Sequence, residues 1–221
     1  MRAFIVSCLF ILAGIAAAAE PADRLFIRPW IELEPLVRID AGPYPIPVDV
    51  AEKSLLELGR VLVSGMIYGW MFTYIPSDAA RRVRESFILT PVAQIAWGST
   101  RMRVTETEVA DERLWARIMY TMDQEEALRR AAWDSNTAAL STGQGTAAVQ
   151  QGPAGRTASL EAAVKDAIRL SLDARYVNKP RQITGEIVLW DDPITVVRSG
   201  AYTTTAKVKL LVQELVPYRI F

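Results

Sequence analysis

Leu114-Trp115-Ala116-Arg117-Ile118-Met119-Tyr120-Thr121-Met122-Asp123-Gln124-Glu125-Glu126 is the stretch on which the fold class turns. Leu114, Ala116, Ile118 and Tyr120 alternate with Trp115, Arg117, Met119 and Thr121, the period of two that a half-buried strand requires. At Asp123 the pattern changes. Asp123 followed by Glu126 has capping-box spacing, and Glu125 with Arg129 and Glu126 with Arg130 are favourable pairs one helical turn apart, so a helix is predicted to run to about Trp133. A strand feeding directly into a capped helix points to an α+β protein.

Working back from this stretch, Thr100–Val109 and Val92–Trp97 read as two more strands, and Ser77 as the cap of a short helix over Asp78–Ser86. Asp49 with Glu52 resembles another capping box, followed by Val50, Ala51, Leu55, Leu58, Leu62 and Met66 at helical spacing. This helix is predicted to continue through the uncharged run Val61–Ile75, which contains Gly65 and Gly69. That run falls short of the roughly 20 residues of a membrane span, and Glu57 and Arg60 block its extension, so it is predicted to be a buried core helix. Trp70, Phe72 and Tyr74, spaced by two, are compatible with a strand as well.

Working forward, Ser135–Arg156 is rich in Gly, Ala, Ser, Thr and Gln without periodicity, and a flexible loop is predicted across 135–158. Ser159 opens a helix whose apolar face is Leu160, Ala163, Val164, Ala167, Ile168 and Leu172. A meander of Ile183–Trp190, Ile194–Arg198 and Tyr202–Leu215 follows. Counting back from Phe221, Arg219, Pro217 and Gln213 would occupy the lipid face of a barrel strand, so Val216–Phe221 is expected to be a tail on a water-soluble domain.

The expectation is therefore helices packed on antiparallel three-stranded meanders, in units 50–134 and 159–221 that form one globular domain. Ile95–Thr100 lines up with Val188–Pro193, and Ala116–Tyr120 with Ala206–Leu210, which would make the two units an α-β-β-β repeat. Residues 20–49 hold six of the twelve prolines and are predicted to be an extended arm. Leu25, Phe26, Ile27, Trp30 and Ile31 make this arm too apolar to be free in solvent.

The chain opens with Arg2, an uncharged run Ala3–Ala19 and then Glu20-Pro21, the order of a cleavable signal peptide over 1–19 with small residues at Ala17 and Ala19. An uncleaved anchor is the alternative. Cys8 sits too early in the apolar run for a lipoprotein cleavage site. A periplasmic or secreted protein is expected, with no transmembrane span after cleavage.

Loss of residues 1–19 removes Arg2 from the 25 basic residues and none of the 25 acidic ones, leaving a net charge of −1, and the arginines are interleaved with acids. Nothing in this balance draws the protein to nucleic acid.

The chain has no His, and its one cysteine, Cys8, leaves with the signal. Ser-His-Asp and Cys-His sites and the usual structural zinc sites are thereby excluded. Trp190-Asp191-Asp192-Pro193 offers two carboxylates beside an indole, as a ligand or hydrolytic site would, although Asp and Pro also make an ordinary turn. Glu106, Glu108, Asp111 and Glu112 crowd a hairpin end but lack calcium-loop spacing. No cofactor is implied.

The resulting expectation is a non-catalytic envelope protein that binds another envelope protein or a wall or membrane component. The alternative is a small-ligand-binding or carboxylate-dependent hydrolytic protein using Asp191 and Asp192. N-terminal sequencing of the exported protein should begin at Glu20 or Pro21; a mature chain that keeps Ala3–Ile15 would refute cleavage.

Overall fold

The computed structural model describes residues 23–35, 37, 43–135, 137–173, 175 and 180–218. The expected signal segment lies outside the described residues. In chain order the elements are β1 (Arg24–Ile27), β2 (Trp30–Glu32), α1 (Val48–Ile67), β3 (Trp70–Ile75), β4 (Ser86–Pro91), β5 (Met102–Ala110), β6 (Arg113–Thr121), α2 (Gln124–Ala132), β7 (Ala139–Ala148), α3 (Gly152–Asp173), β8 (Gln182–Leu189), β9 (Ile194–Arg198) and β10 (Ala201–Val216). They build two antiparallel sheets and three helices, an α+β architecture.

Strand β6 is the centre of the first sheet. Leu114, Ala116, Ile118 and Tyr120 of β6 are all buried. One edge of β6 is paired by β5, and the other by β1 (Arg24 opposite Thr121) and then β2 (Trp30 opposite Trp115). Pro29 interrupts that edge because it has no N–H to give, yet its carbonyl accepts from the Ala116 N–H at 3.0 Å. The Pro-rich segment, where described, thus supplies two short edge strands and buries Ile27, Trp30 and Leu33. Across the sheet, β5 has its free edge and both faces open to solvent along most of its length.

The second sheet runs β4-β3-β8-β10-β7, with β9 paired to β10 beyond the end of β8. Helix α1 lies between the sheets. A Cβ on Gly59 would press on Ile118 and Ile27 of the first sheet, and Gly65 lies under the Trp70 ring of the second. Helix α3 lies on β7 and β10, where Ser159 and Thr204 share a buried hydroxyl hydrogen bond of 2.6 Å. Ile118, Ile67, Ile168 and Ile187, drawn from both sheets and two helices, belong to one contiguous core.

Several local expectations are corrected. The helix does not continue through Ile75: Gly69, at φ +67°, turns the chain into β3, and any side chain there would strike the Ile187 carbonyl. Helix α1 starts after Pro47 without a side-chain cap, so Asp49 and Glu52 do not form a capping box. Asp78 bridges to Val83 in a turn instead of opening a helix, and Ser86 begins β4.

Val92–Trp97 forms no strand. Only Ile95 of that stretch is buried, tied by its N–H to Ser64 Oγ at 3.0 Å, and β1 and β2 supply the third strand of the first sheet instead. Ile95–Thr100 is therefore loop where its aligned partner Val188–Pro193 closes a strand. The last three strands do not meander, because β8 and β9 both pair with β10, one after the other.

The largest correction is at 135–158, predicted to be a flexible loop. It contains β7, a 3₁₀ turn at Val149–Gln151 and the first two turns of α3. The composition misleads because β7 is built of small residues for a packing reason. At Gly143 and Gly145 an added Cβ would collide with the α3 backbone at Ala163, Ala167 and Ser159, so strand and helix touch main chain to main chain.

Gly143→Val should lower unfolding stability by about 2–3 kcal/mol, as overpacking a closed interface does. Gln144→Val on the exposed side of β7 should be close to neutral. Urea denaturation checks both, and equal midpoints for the two variants would refute the close contact.

Candidate functional site

The turn Trp190–Pro193 joins β8 to β9, and its three candidate residues go to three places. The Trp190 ring is flanked by the Arg130 guanidinium, 4.5 Å from the ring centre, and the Lys209 ammonium at 3.8 Å. Arg130 also donates to the carbonyls of Met66, Leu189 and Trp190. It ties α2 to the ends of α1 and β8, and the predicted Glu126–Arg130 pair does not form.

Asp191 is exposed and pairs with Lys207 Nζ at 2.9 Å. Asp192 turns away from it, is partly buried, and accepts the backbone N–H of Arg28 at 2.7 Å. The paired carboxylates that the sequence offered are thus separated, and only Asp192 enters a cleft.

Asp192 reaches the kink between β1 and β2. The Arg28 side chain is neutralised by Glu108 at 2.8 Å and lies over Trp115. Two residues on, Trp30 is 4% exposed, donates from Nε1 to the Thr195 carbonyl at 3.2 Å, and is approached by the guanidiniums of Arg113 (4.2 Å) and Arg156 (4.0 Å). Arg156 comes from the first turns of α3 and is 8% exposed. It donates through Nη1 to the Trp30 carbonyl, while its Nε–H is buried with no acceptor among the described residues. Nearby, Glu32 accepts the Tyr202 hydroxyl at 2.7 Å.

Three hollows meet here. A small cavity of about 30 Å³ is walled by Arg28, Trp30, Leu58, Arg156, Asp192 and Thr195, among others. Arg28 and Asp192 also line an outer hollow of about 370 Å³ with Glu106 and Arg117. Leu58 and Arg156 also line a groove of about 600 Å³ between α1 and α3, with Ile31 and Val61 and with Lys53 and Thr157.

The electrostatics of the small cavity are costly. Burial pushes the Arg156 guanidinium down to about 10, against the opposing pull of Tyr202 and Glu32 and with a further push from Arg113. Burial also raises the Asp192 carboxyl above the ordinary aspartate range, opposed by the Arg28 N–H. Among the described residues neither charge is in an ion pair.

A second polar cluster, around Glu126 (3% exposed), is fully satisfied. It completes the predicted capping box with Asp123 and accepts from Tyr68, Tyr120 and Arg101 at 2.5 to 3.1 Å. Burial, then the Glu126 bond, pushes the Tyr68 phenol up to about 12. With every acceptor used, this cluster serves to anchor α2. Glu106 and Glu108 lie on β5, whereas Asp111 and Glu112 form its hairpin turn at positive φ. Among the described residues no group of three or more acidic side chains is placed to hold a metal ion.

The chain belongs to a family of uncharacterised proteins, whose family model matches residues 15–218. It is 23% identical over 192 residues to an uncharacterized protein of Treponema pallidum (strain Nichols), an alignment covering 87% of this chain and 81% of that protein. No solved structure matches the chain.

Of the candidate residues only Asp192 lies in the cleft. Arg28, Trp30 and Arg156 were missed, two of them because they sit in the Pro-rich segment and the third because it lay in the predicted loop. A buried apolar motif around Trp30 was the available signal.

Because the folded carboxyl of Asp192 is raised, its contribution to stability is present below the unfolded value and lost as pH rises through the folded one. Asp192→Asn keeps an acceptor for Arg28 and removes the charge. The variant should melt higher than the parent at about pH 7, and the gap should close by about pH 3, below the ordinary aspartate value. Thermal unfolding across that range checks this; a variant less stable at neutral pH would show that the ionised carboxylate stabilises the fold.

Proposed function

We propose that this protein is an exported, non-catalytic binding module of the cell envelope and that its binding site is the cleft where β1, β2, α1, α3 and the Trp190–Pro193 turn meet. One observation carries the reading: Arg156, buried, and Asp192, partly buried, are opposite charges outside any ion pair among the described residues, and they line the same small cavity. A buried charge without a counter-ion destabilises a fold by several kcal/mol or shifts its ionisation. Such an arrangement is expected where a ligand completes the pairing.

The separation of Asp191 from Asp192 weighs against carboxylate-dependent hydrolysis, which needs two carboxylates facing one bond. Export rests on the Met1–Ala19 pattern. No described helix is long and apolar enough to cross a membrane. The partner is expected to be another envelope protein or a wall or membrane component, and the α1–α3 groove is large enough to admit an extended segment of it.

A photo-crosslinking side chain at Thr157, on the groove, should capture a discrete partner in envelope fractions of the producing cell, whereas one at Thr142, on the exposed side of β7, should not. Equal capture at both positions, or none at Thr157, would overturn the cleft as the binding site.

A further inference from the structure

Taking the cleft as a binding site, we propose that the small cavity is the head-group subsite for an α-amino acid, its carboxylate held by Arg156 and its ammonium by Asp192. The argument is one of charge accounting. Of the charged side chains on the walls, Arg28 is already neutralised by Glu108, which leaves one positive and one negative group. Thr195 has its hydroxyl engaged with Thr204 at 2.9 Å.

Trp30 has its Nε1–H given to the Thr195 carbonyl, and the remaining walls, Pro29, Leu58, Leu62, Leu160 and Pro193, offer no polar side-chain atom. A simple anion would satisfy Arg156 and face the like charge of Asp192; a simple cation would do the reverse. A ligand carrying both charges on adjacent atoms meets both walls at once, and the α-amino acid head is the small unit built that way.

Size and outlet agree with this assignment. A water needs about 10–15 Å³ of such space, so a cavity of about 30 Å³ takes two to three waters' worth, which seats the carboxylate at Arg156 and leaves the ammonium at the edge that Asp192 shares with the outer hollow. Leu58 and Arg156 also line the α1–α3 groove, where Ile31, Val61 and Pro153 stand among Lys53, Glu57, Arg60 and Gln94. The ligand's side chain is directed there and is apolar, as in leucine.

Mature protein titrated with leucine, N-acetyl-leucine and leucine methyl ester, read by calorimetry and by thermal shift, tests the assignment. Leucine should bind, and each derivative, lacking one charge, should bind at least about tenfold more weakly. In Asp192→Asn the preference for leucine over N-acetyl-leucine should vanish. In Arg156→Lys, which keeps a positive charge near the position, discrimination against the methyl ester should shrink but persist.

Circular dichroism of both variants separates loss of binding from loss of fold, and if Arg156→Lys fails to fold, Asp192→Asn decides alone. Equal binding of all three compounds, or no response at about 10 mM, would overturn the proposal. A protein silent to leucine that still forms adducts at Thr157 loses the amino-acid subsite and keeps the cleft; one that does neither loses both.

Discussion

Helix α1 has to satisfy two sheets at once, and the rest of the structure is arranged around that requirement. A helix packed on one sheet needs one apolar stripe; a helix between two needs apolar surface on opposite sides and a close approach to each. Here the approaches fall at Gly59, against Ile118 and Ile27, and at Gly65, under Trp70. Around them Leu55, Leu62, Val63, Met66 and Ile67 fill the space between the sheets, all nearly inaccessible to water. This explains why the last turns of α1 read as an uncharged run: no side of the helix remains for a charge.

The same layering creates the cleft. The first sheet covers α1 but does not extend over α3, so its edge strands β1 and β2 end against the first turns of α3 and the β9–β10 hairpin. A seam between a sheet edge and a helix start brings together backbone groups that neither element satisfies internally. Trp30 fills the seam, with its ring nitrogen bonded to Thr195 and its carbonyl to Arg156. Polar residues in the seam are therefore a consequence of the architecture. The Arg156 Nε–H and the Asp192 charge are the part that the architecture does not account for.

Legibility in the sequence followed the physics of each segment. The β6–α2 passage was readable because its two signals, alternation and the Asp123–Glu126 box, are local and agree, and both survive in the structure. Two of the three β10 neighbours, β8 and β9, could be seen as strands, but not their order, since pairing is decided by partners distant in sequence. Strand β7 was hidden because backbone contact with α3 demands Gly and Ala, the composition of a loop. The break after α1 was missed because helix end and strand share one uncharged run, although β3 keeps the period-two signal, with Phe72 and Tyr74 buried and Met71 exposed. At the site, Asp191 and Asp192 looked equivalent as neighbours; only the direction each side chain takes separates a solvated ion pair from a cleft wall.

The open strand β5 bears on how the molecule coexists with copies of itself. A nine-residue strand with an unpaired edge would template association with another such strand, especially in a concentrated compartment. Its register is broken between Val104 and Glu106, and Arg103, Glu106 and Glu108 stud its length. An incoming strand would meet a discontinuous ladder and would have to strip water from these ionised groups to align with it. The irregularity that makes β5 look like the least finished part of the sheet is thus what keeps it from being continued by a neighbour.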